Sequence, residues 1–224
     1  MTINRTLLFC TSFAATNELW EYRYKKWLDF VYKSALVRHQ ILLIDDGSPV
    51  LPQWSNLRIY NEPHLPTIVD EQSVLFHFNK QLGRQGILQY PGWYRSFTFA
   101  SIWAKTFSFN KVIHIESDSF ILSERLVDYI NKLNHGWTSF YSARYNFPET
   151  CIQVICEDQI KKFLKFSRRD YGMNFANRPI ELLIPFTNVE KNFVGDRYGE
   201  IEDLRGLPRG VDYATNIPSH WVEI

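Results

Sequence analysis

The sequence lacks most features that would assign it to a specialised class of protein. It has no run of lysine and arginine, and its 25 basic and 24 acidic residues give a net charge of +1, which does not favour binding to nucleic acids. No stretch reaches the roughly 18 apolar residues of a membrane-spanning helix. Internal repeats and low-complexity tracts are also missing. We therefore expect no nucleic-acid partner and no transmembrane segment, while peripheral membrane contact and the oligomeric state stay open.

Cysteine is also scarce. The three cysteines, Cys10, Cys151 and Cys156, have no metal-ligand spacing such as CxxC and lie in apolar, strand-like runs. This pattern favours buried free thiols in a reducing compartment. The first residues lack the apolar length and the small-residue cleavage site of a signal peptide. Together these observations predict a cytoplasmic protein.

The sequence does contain an alternation of apolar strands and amphipathic helices. Strands are predicted at residues 6–13, 41–44, 57–60, 112–115, 138–144 and 151–155, and helices at 17–35, 74–82, 94–107, 125–133 and 158–166. Beyond Arg168 the pattern predicts loops, a helix and one last strand near His220. Strands that alternate with helices predict an α/β fold whose ligands bind beyond the carboxyl ends of the strands.

Two carboxylates stand at the end of the 112–115 strand. Glu116 and Asp118 are two residues apart, so in an extended chain they face the same way, roughly 6 to 7 Å apart. Such a pair favours a hard cation, and Mg²⁺ or Mn²⁺ would bridge it to a diphosphate. The alternative is a simple strand ending, because Asp and Ser often terminate strands.

A second acidic turn, Asp45-Asp46-Gly47-Ser48, follows the 41–44 strand. A carboxylate here can accept hydrogen bonds from a nucleobase or a ribose, and glycine lets the chain turn closely around a ligand. The alternative is an Asx-turn that caps the strand without binding anything. Arg95 and Arg84 precede the 112–115 strand and could neutralise a phosphate, or lie on the surface as solvated side chains.

These motifs resemble those of the GT-A glycosyltransferases, especially the family-2-like enzymes. Such enzymes have a strand, a helix and a strand ending in an Asp-Asp-Gly-Ser-like turn, and later a strand ending in Asp-x-Asp, matched by Glu116-Ser117-Asp118 about 70 residues further on. The resemblance implies a single domain over residues 1–224 with a GT-A, Rossmann-like, mostly parallel sheet flanked by helices. Residues 1–122 would bind the nucleotide sugar, and residues 123–224 would form a small acceptor-side subregion.

The resemblance also implies an activity, namely metal-assisted transfer of a sugar from a UDP-type nucleotide diphosphate to a glycan, lipid-linked or other hydroxyl acceptor. The role that it suggests is bacterial surface polysaccharide synthesis. The metal, Mn²⁺ or Mg²⁺, would be held chiefly by Asp118, with Glu116 and His220 as further ligands. His220 is alternatively a surface residue. Around the donor the interpretation places Thr11, Phe13, Asp45, Asp46, Arg95, Glu116 and Ser117.

The general base is expected among three acidic residues. Element order favours Asp196, with Glu200 and Asp158 in reserve, although an acidic residue can equally be a charged helix start. A base opposite the leaving group implies inversion, and its absence would favour a retaining route. Two other functions compete: a sugar-nucleotide nucleotidyltransferase, which residues 11–17 disfavour because they contain neither glycine nor arginine, and a non-catalytic binding domain of the same fold.

Overall fold

The computed structural model describes residues 5–168 and 178–222 of the chain. Its strands are β1 (Thr6–Ser12), β2 (Gln40–Asp45), β3 (Arg58–Asn61), β4 (Ser73–His77), β5 (Lys111–Ile115), β6 (Phe120–Ile121), β7 (Trp137–Ser142), β8 (Phe147–Cys156), β9 (Asn188–Glu190), β10 (Gly195–Asp196) and β11 (Tyr213–Ala214). Its α-helices are α1 (Asn17–Leu19), α2 (Lys26–Lys33), α3 (Pro91–Thr106), α4 (Glu124–Lys132) and α5 (Glu157–Ser167), with a π-helical segment, Trp20–Lys25, between α1 and α2.

The large sheet has the strand order β3-β4-β2-β1-β5-β8-β7-β9. Its first five strands are mutually parallel, with Leu8 of β1 opposite Ile41 of β2 on one side and Ile113 of β5 on the other. Both β1 and β2 are buried along their whole length, as expected of parallel strands covered on both faces. The predicted α/β fold with a mostly parallel sheet is confirmed.

Beyond β5 the sheet becomes mixed. Strand β8 runs antiparallel to β5, with Lys111 opposite Cys156 and Ile115 opposite Ile152. The C-terminal end of β8 therefore lies beside the N-terminal end of β5. Strand β7 is antiparallel to β8, and β9 is parallel to β7. The second half of the chain therefore extends the sheet that the first half begins.

Alternate residues of β1 enter two different cores. Leu8 lies in the core that contains Trp27 of α2, whereas Leu7 lies in the core that contains Trp103 of α3. All four side chains are fully buried. Burying a large apolar side chain stabilises a fold by about 1.5 to 3 kcal/mol, so both layers of helices hold the sheet strongly.

The helix predicted at residues 74–82 is wrong. Residues 73–77 form strand β4 between β2 and β3, and Val74, Leu75 and Phe76 are buried there. A short apolar run fits a buried strand and a buried helix equally well. Here the run pairs with β2 on one side and β3 on the other, and it is therefore a strand. A loop follows β4 and leads to α3, which starts with Pro91 in its first turn.

The helix predicted at residues 17–35 is present, but it is not a uniform α-helix. Its middle, from Trp20 to Lys25, is π-helical and therefore has a wider turn. Leu19 is 42% exposed, whereas Trp20, Tyr24 and Trp27 are buried.

The C-terminal region is irregular, as its composition predicts, but not in the predicted detail. Residues 178–222 contain three short 3₁₀ turns and no α-helix, and the last strand is β11 rather than one near His220, which lies in a turn. Strands β10 and β11 form a small sheet with β6, in the order β10-β11-β6. This sheet joins the C-terminal region to the chain just after Asp118.

All three cysteines are free thiols in strands β1 and β8. Cys10 and Cys156 are buried as predicted, whereas Cys151 is only half-buried. In the part of the chain that the structure describes, no helix combines the length and the apolar character needed to cross a lipid bilayer.

Candidate functional site

A cavity of about 700 Å³ opens at the carboxyl ends of the parallel strands. Its floor is the end of β1 and the residues after β5, and its walls come from the π-helical segment, the loop after β4, the start of α3 and the C-terminal region. Chain order reverses here, because β1 continues to β2 on one side while β5 lies on its other side. Such a switch point is where open α/β sheets bind ligands.

Glu116 lies at the floor of the cavity and is 9% exposed. The Oγ1 atom of Thr11 donates to its carboxylate at 2.8 Å, Nε1 of Trp93 donates at 2.5 Å, and Nε2 of His114 lies 3.0 Å from Oε1. Burial raises the pKa of this carboxyl, but His114 and the hydrogen bonds from Trp93 and Thr11 outweigh burial, so the pKa falls below its usual value. Glu116 is thus already surrounded by hydrogen-bond partners.

Asp118 also lines the cavity and forms an ion pair with Arg23. The distance from Nη2 of Arg23 to Oδ2 of Asp118 is 2.9 Å, and Nε of the same guanidinium donates to Oγ of Ser117 at 2.5 Å. Burial raises the pKa of the Asp118 carboxyl above its usual value, although Arg23 acts in the opposite direction. Arg23 was not among the site residues that the sequence predicts.

Asp46 is held by backbone and side chain together. Its Oδ2 accepts from the N–H of Gly83 at 2.8 Å, and its Oδ1 accepts from Nη2 of Arg95 at 2.5 Å. The Arg95 guanidinium also stacks on the ring of Phe78, 3.9 Å from the centroid. Asp46 lines the cavity, whereas the charge of Arg95 is paired, so a phosphate contact for Arg95 stays a prediction.

Gly92 makes this arrangement possible, because its backbone lies directly against Asp46. A methyl group on Gly92 would overlap Oδ2 of Asp46 and come within 2.8 Å of the Gly83 nitrogen. Replacing Gly92 by alanine should therefore displace the Asp46 carboxylate and lower the free energy of unfolding by about 1 to 3 kcal/mol. The preference of alanine over glycine in a helix, up to about 1 kcal/mol, offsets part of this loss.

Urea denaturation of Gly92→Ala tests this expectation, and Gly206→Ala is the matched control. A methyl group on Gly206 meets no atom within 4 Å. We expect the control to match the unchanged protein. A Gly92→Ala variant as stable as its control would show that Asp46 moves aside without cost.

Asp45 occupies a different position from Asp46. It is fully buried, and its carboxylate accepts from the backbone and the hydroxyl of Ser48 at 2.8 and 2.6 Å and contacts Nδ1 of His77 at 2.7 Å. Burial raises the pKa of Asp45 above its usual value despite these contacts. Asp45 therefore caps the turn and offers no surface to a ligand, and the predicted contact with a base or ribose is corrected on this ground.

The remaining donor-side residues lie at the end of β1 and beyond it. Thr11 and Phe13 line the cavity. The hydroxyl of Tyr24 accepts from the Phe13 N–H at 2.9 Å and donates to the Phe13 carbonyl at 3.1 Å. Ser117 is almost wholly buried, and its hydroxyl accepts from Nε of Arg23.

On the C-terminal side, Glu200 lines the cavity and Asp196 does not. The Oδ1 of Asp196 accepts from the hydroxyl of Ser142 at 2.7 Å, and its Oδ2 accepts from the backbone of Arg144 at 2.9 Å, so both oxygens are engaged. Glu200 accepts hydrogen bonds from Tyr145 and Asn216, and its side chain is 31% exposed. Of the two, Glu200 is the one that can reach a molecule in the cavity.

Arg197, which also lines the cavity, is surrounded by carboxylates. Its guanidinium donates to the fully buried Glu149 at 2.7 and 3.1 Å and to Glu181 at 2.8 Å, and it lies 4.0 Å from Glu200. This cluster fastens the C-terminal region to β8 beside the cavity.

Two predicted site residues lie elsewhere. Asp158 is exposed in the first turn of α5, where it accepts from the Gly136 N–H at 2.9 Å. Because β8 ends beside the start of β5, Asp158 lies at the amino ends of the parallel strands, whereas the cavity lies at their carboxyl ends. This position removes Asp158 from the candidate bases. His220 is exposed and bonded through Nδ1 to the Tyr22 hydroxyl at 3.0 Å, outside the cavity lining.

Comparisons with known proteins agree with this fold. No protein-family model and no curated protein matches the sequence. The apo form of the glycosyltransferase GlyE from Streptococcus pneumoniae is similar over 96% of this chain and 54% of its own, with 12% identity and a TM-score of 0.51. The chain has a glycosyltransferase fold. A glycosyltransferase involved in glycosylation of the major capsid of PBCV-1 is similar over 94% of this chain and 92% of its own, with 8% identity and a TM-score of 0.45.

This chain spans about half the length of GlyE, so the similarity describes the fold of one part of that protein. Within the glycosyltransferase fold, the predicted triad of metal ligands is not brought together. In residues 5–168 and 178–222, no group of three or more His, Cys, Asp or Glu side chains is placed to hold a metal ion. Glu116 is engaged by its neighbours and His220 lies outside the cavity, which leaves Asp118.

Asp118 alone still fits a divalent cation of the predicted kind. Mg²⁺ characteristically takes only one or two carboxylates from a protein and completes its shell with substrate phosphates and water. The Arg23 guanidinium already stands beside Asp118 as a cation. The site of this glycosyltransferase fold is thus compatible with an ion held by Asp118 and a diphosphate, without Glu116 or His220.

Proposed function

We propose that this protein transfers a glycosyl group from a nucleoside diphosphate donor of the UDP type to an acceptor hydroxyl. The observation that carries the proposal is the cavity at the switch point of a glycosyltransferase fold, where Asp118 and Glu200 come from separate parts of the chain. Its volume, about 700 Å³, suits a sugar nucleotide, since ligand pockets commonly measure about 300 to 1,000 Å³.

On the donor side, the nucleoside would lie against the end of β1, with Thr11, Phe13 and Asp46 as contacts, and the diphosphate would lie near Asp118. Asp118 would hold Mn²⁺ or Mg²⁺, which when bound supplies positive charge to the diphosphate. Arg23 and Arg84 line the cavity, and arginine recognises phosphate oxygens through paired N–H groups.

On the acceptor side, Glu200 would act as the general base. The acceptor hydroxyl loses its proton to the Glu200 carboxylate as its oxygen forms a bond to the anomeric carbon. The bond from that carbon to the β-phosphate oxygen breaks, and its electron pair leaves with the nucleoside diphosphate. One displacement of this kind inverts the anomeric configuration. Glu200 takes the place of Asp196, which does not line the cavity.

The acceptor would be a glycan, a lipid-linked sugar or another hydroxyl compound, and synthesis of a bacterial surface polysaccharide would supply such acceptors. Peripheral contact with a membrane would give access to the lipid-linked kind. In this proposal the acceptor hydroxyl would arrive at the C-terminal side of the cavity, where Tyr145 and Asn216 donate hydrogen bonds to Glu200.

Incubation of the purified protein with a panel of nucleotide sugars and Mn²⁺ tests the proposal. We expect at least one donor to be hydrolysed slowly, with release of the nucleoside diphosphate and free sugar, as water substitutes for the acceptor. Exchange of pyrophosphate into the sugar nucleotide would instead indicate a nucleotidyltransferase. Tight binding without any turnover, also in the presence of mixed glycan acceptors, would indicate a non-catalytic binding domain.

A further inference from the structure

Arg23 carries the positive charge closest to the Asp118 carboxylate. Its guanidinium spans two neighbouring residues, since Nε donates to Ser117 and Nη2 pairs with Oδ2 of Asp118 at 2.9 Å. The side chain is 42% exposed and lines the cavity, so a ligand can reach it. In the described part of the chain, no group accepts a hydrogen bond from Nη1 of Arg23.

The local backbone fixes this position. Arg23 lies in the π-helical segment, and such wide turns occur frequently at functional sites. The next residue, Tyr24, is buried and bonded through its hydroxyl to both the N–H and the carbonyl of Phe13. The helix is therefore tied, at the residue after Arg23, to the chain just beyond β1.

One oxygen of the Asp118 carboxylate has no short hydrogen bond to the described residues. Its Oδ1 has one long contact, 3.4 Å from the Ser119 hydroxyl. By contrast, Glu116 accepts from Thr11 and Trp93, and Asp46 accepts from Arg95 and two backbone N–H groups. A divalent cation that entered the cavity would therefore meet Asp118 as its best ligand, with the Arg23 guanidinium in contact with the other oxygen.

We propose that the Arg23 guanidinium and a divalent cation compete for the Asp118 carboxylate, so that Arg23 keeps free metal ions out until a donor diphosphate draws the guanidinium away. Phosphate oxygens accept from arginine in the same paired geometry as a carboxylate, so the diphosphate offers Arg23 an equivalent partner. The inference rests on the proposed function for the identity of that ligand. Its test uses no nucleotide, so failure here and failure of donor turnover are separate results.

The competition predicts that removing the guanidinium strengthens metal binding. We expect Arg23→Gln to bind Mn²⁺ at least tenfold more tightly than the unchanged protein, in the absence of any nucleotide. Loss of the electron paramagnetic resonance signal of free Mn²⁺ on titration with the full chain measures this affinity. Arg23→Lys should show a smaller gain, because a single ammonium group cannot contact Ser117 and Asp118 in the way that the guanidinium does.

Arg84→Gln is the matched control, because it removes another cavity charge without uncovering a carboxylate. Arg84 stacks on Tyr90, and no carboxylate of the described residues lies within 4.0 Å of it. An equal gain in Arg84→Gln would overturn the proposal, since the effect would then be one of overall charge. No gain in Arg23→Gln would also overturn it, as would a gain that survives in the double variant Arg23→Gln with Asp118→Asn.

Discussion

Replacing Glu200 by glutamine is expected to lower turnover by about 10²- to 10⁴-fold, the contribution typical of a general base. Glutamine keeps the size of the side chain and an oxygen that can accept from Asn216 or Tyr145, so the fold should be preserved. Binding of the nucleoside diphosphate, measured by calorimetry, should change less than twofold, because Glu200 is proposed to act on the acceptor. Steady-state kinetics with the donor identified by the panel gives the measurement.

Two further variants make this result specific. Glu202→Gln removes the same charge two residues away, at an exposed position outside the cavity, and should leave turnover unchanged. Asp196→Asn tests the residue that element order favours as the base. If Asp196→Asn abolished turnover in a stable protein while Glu200→Gln remained active, the assignment of the base to Glu200 would be wrong.

The largest effect on stability is expected at Glu149. Glu149 is fully buried, accepts from Arg197 twice and also accepts from the backbone of Thr150 and Cys151. Removing one member of a buried ion pair leaves the other without compensation and typically costs about 3 to 5 kcal/mol. Glu181 still pairs with Arg197, so we expect Glu149→Leu to lower the free energy of unfolding by about 3 kcal/mol, measured by urea denaturation.

The control for this prediction is the exposed pair of Asp203 and Arg205, 3.7 Å apart, which should contribute almost nothing. Asp203→Asn is suitable because residue 203 has a positive φ that asparagine tolerates. A double variant, Glu149→Leu with Arg197→Met, should recover part of the lost stability, since replacing both partners removes the unpaired charge. If Glu149→Leu cost no more than Asp203→Asn, the ion pair would have no role in holding the C-terminal region.

Some of the site could be predicted because its chemistry is local in the sequence. Strands β1, β2 and β5 are long enough and apolar enough to be recognised, and the residues that follow them necessarily meet at one edge of a parallel sheet. Asp46, Glu116 and Asp118 therefore reach the cavity as predicted. The predicted ligand contact of Asp45 fails because Asp45 is fully buried, since successive residues of an extended chain point to opposite sides and only Asp46 lines the cavity.

Other features depend on contacts that the sequence does not display. A short apolar run such as Val74–Leu75–Phe76 has no preference between strand and helix until its neighbours are in place. Arg23 resembles any charged residue of an amphipathic helix, and its partner Asp118 is 95 residues away in the sequence. The partners Glu149 and Arg197 are 48 residues apart, so their pairing follows from the position of the C-terminal region and not from a local pattern.

The π-helical segment also bears on how such a site arises during evolution. Each residue of a helix advances the direction of its side chains by about 100°, so deleting one residue between Trp20 and Lys25 would close the wide turn and rotate one flank of the helix relative to the other. The loss of a single codon would then separate Arg23 from Asp118 while leaving the rest of the sequence unchanged. Homologous chains that differ by one residue in this helix would consequently differ in the charge they present to a ligand.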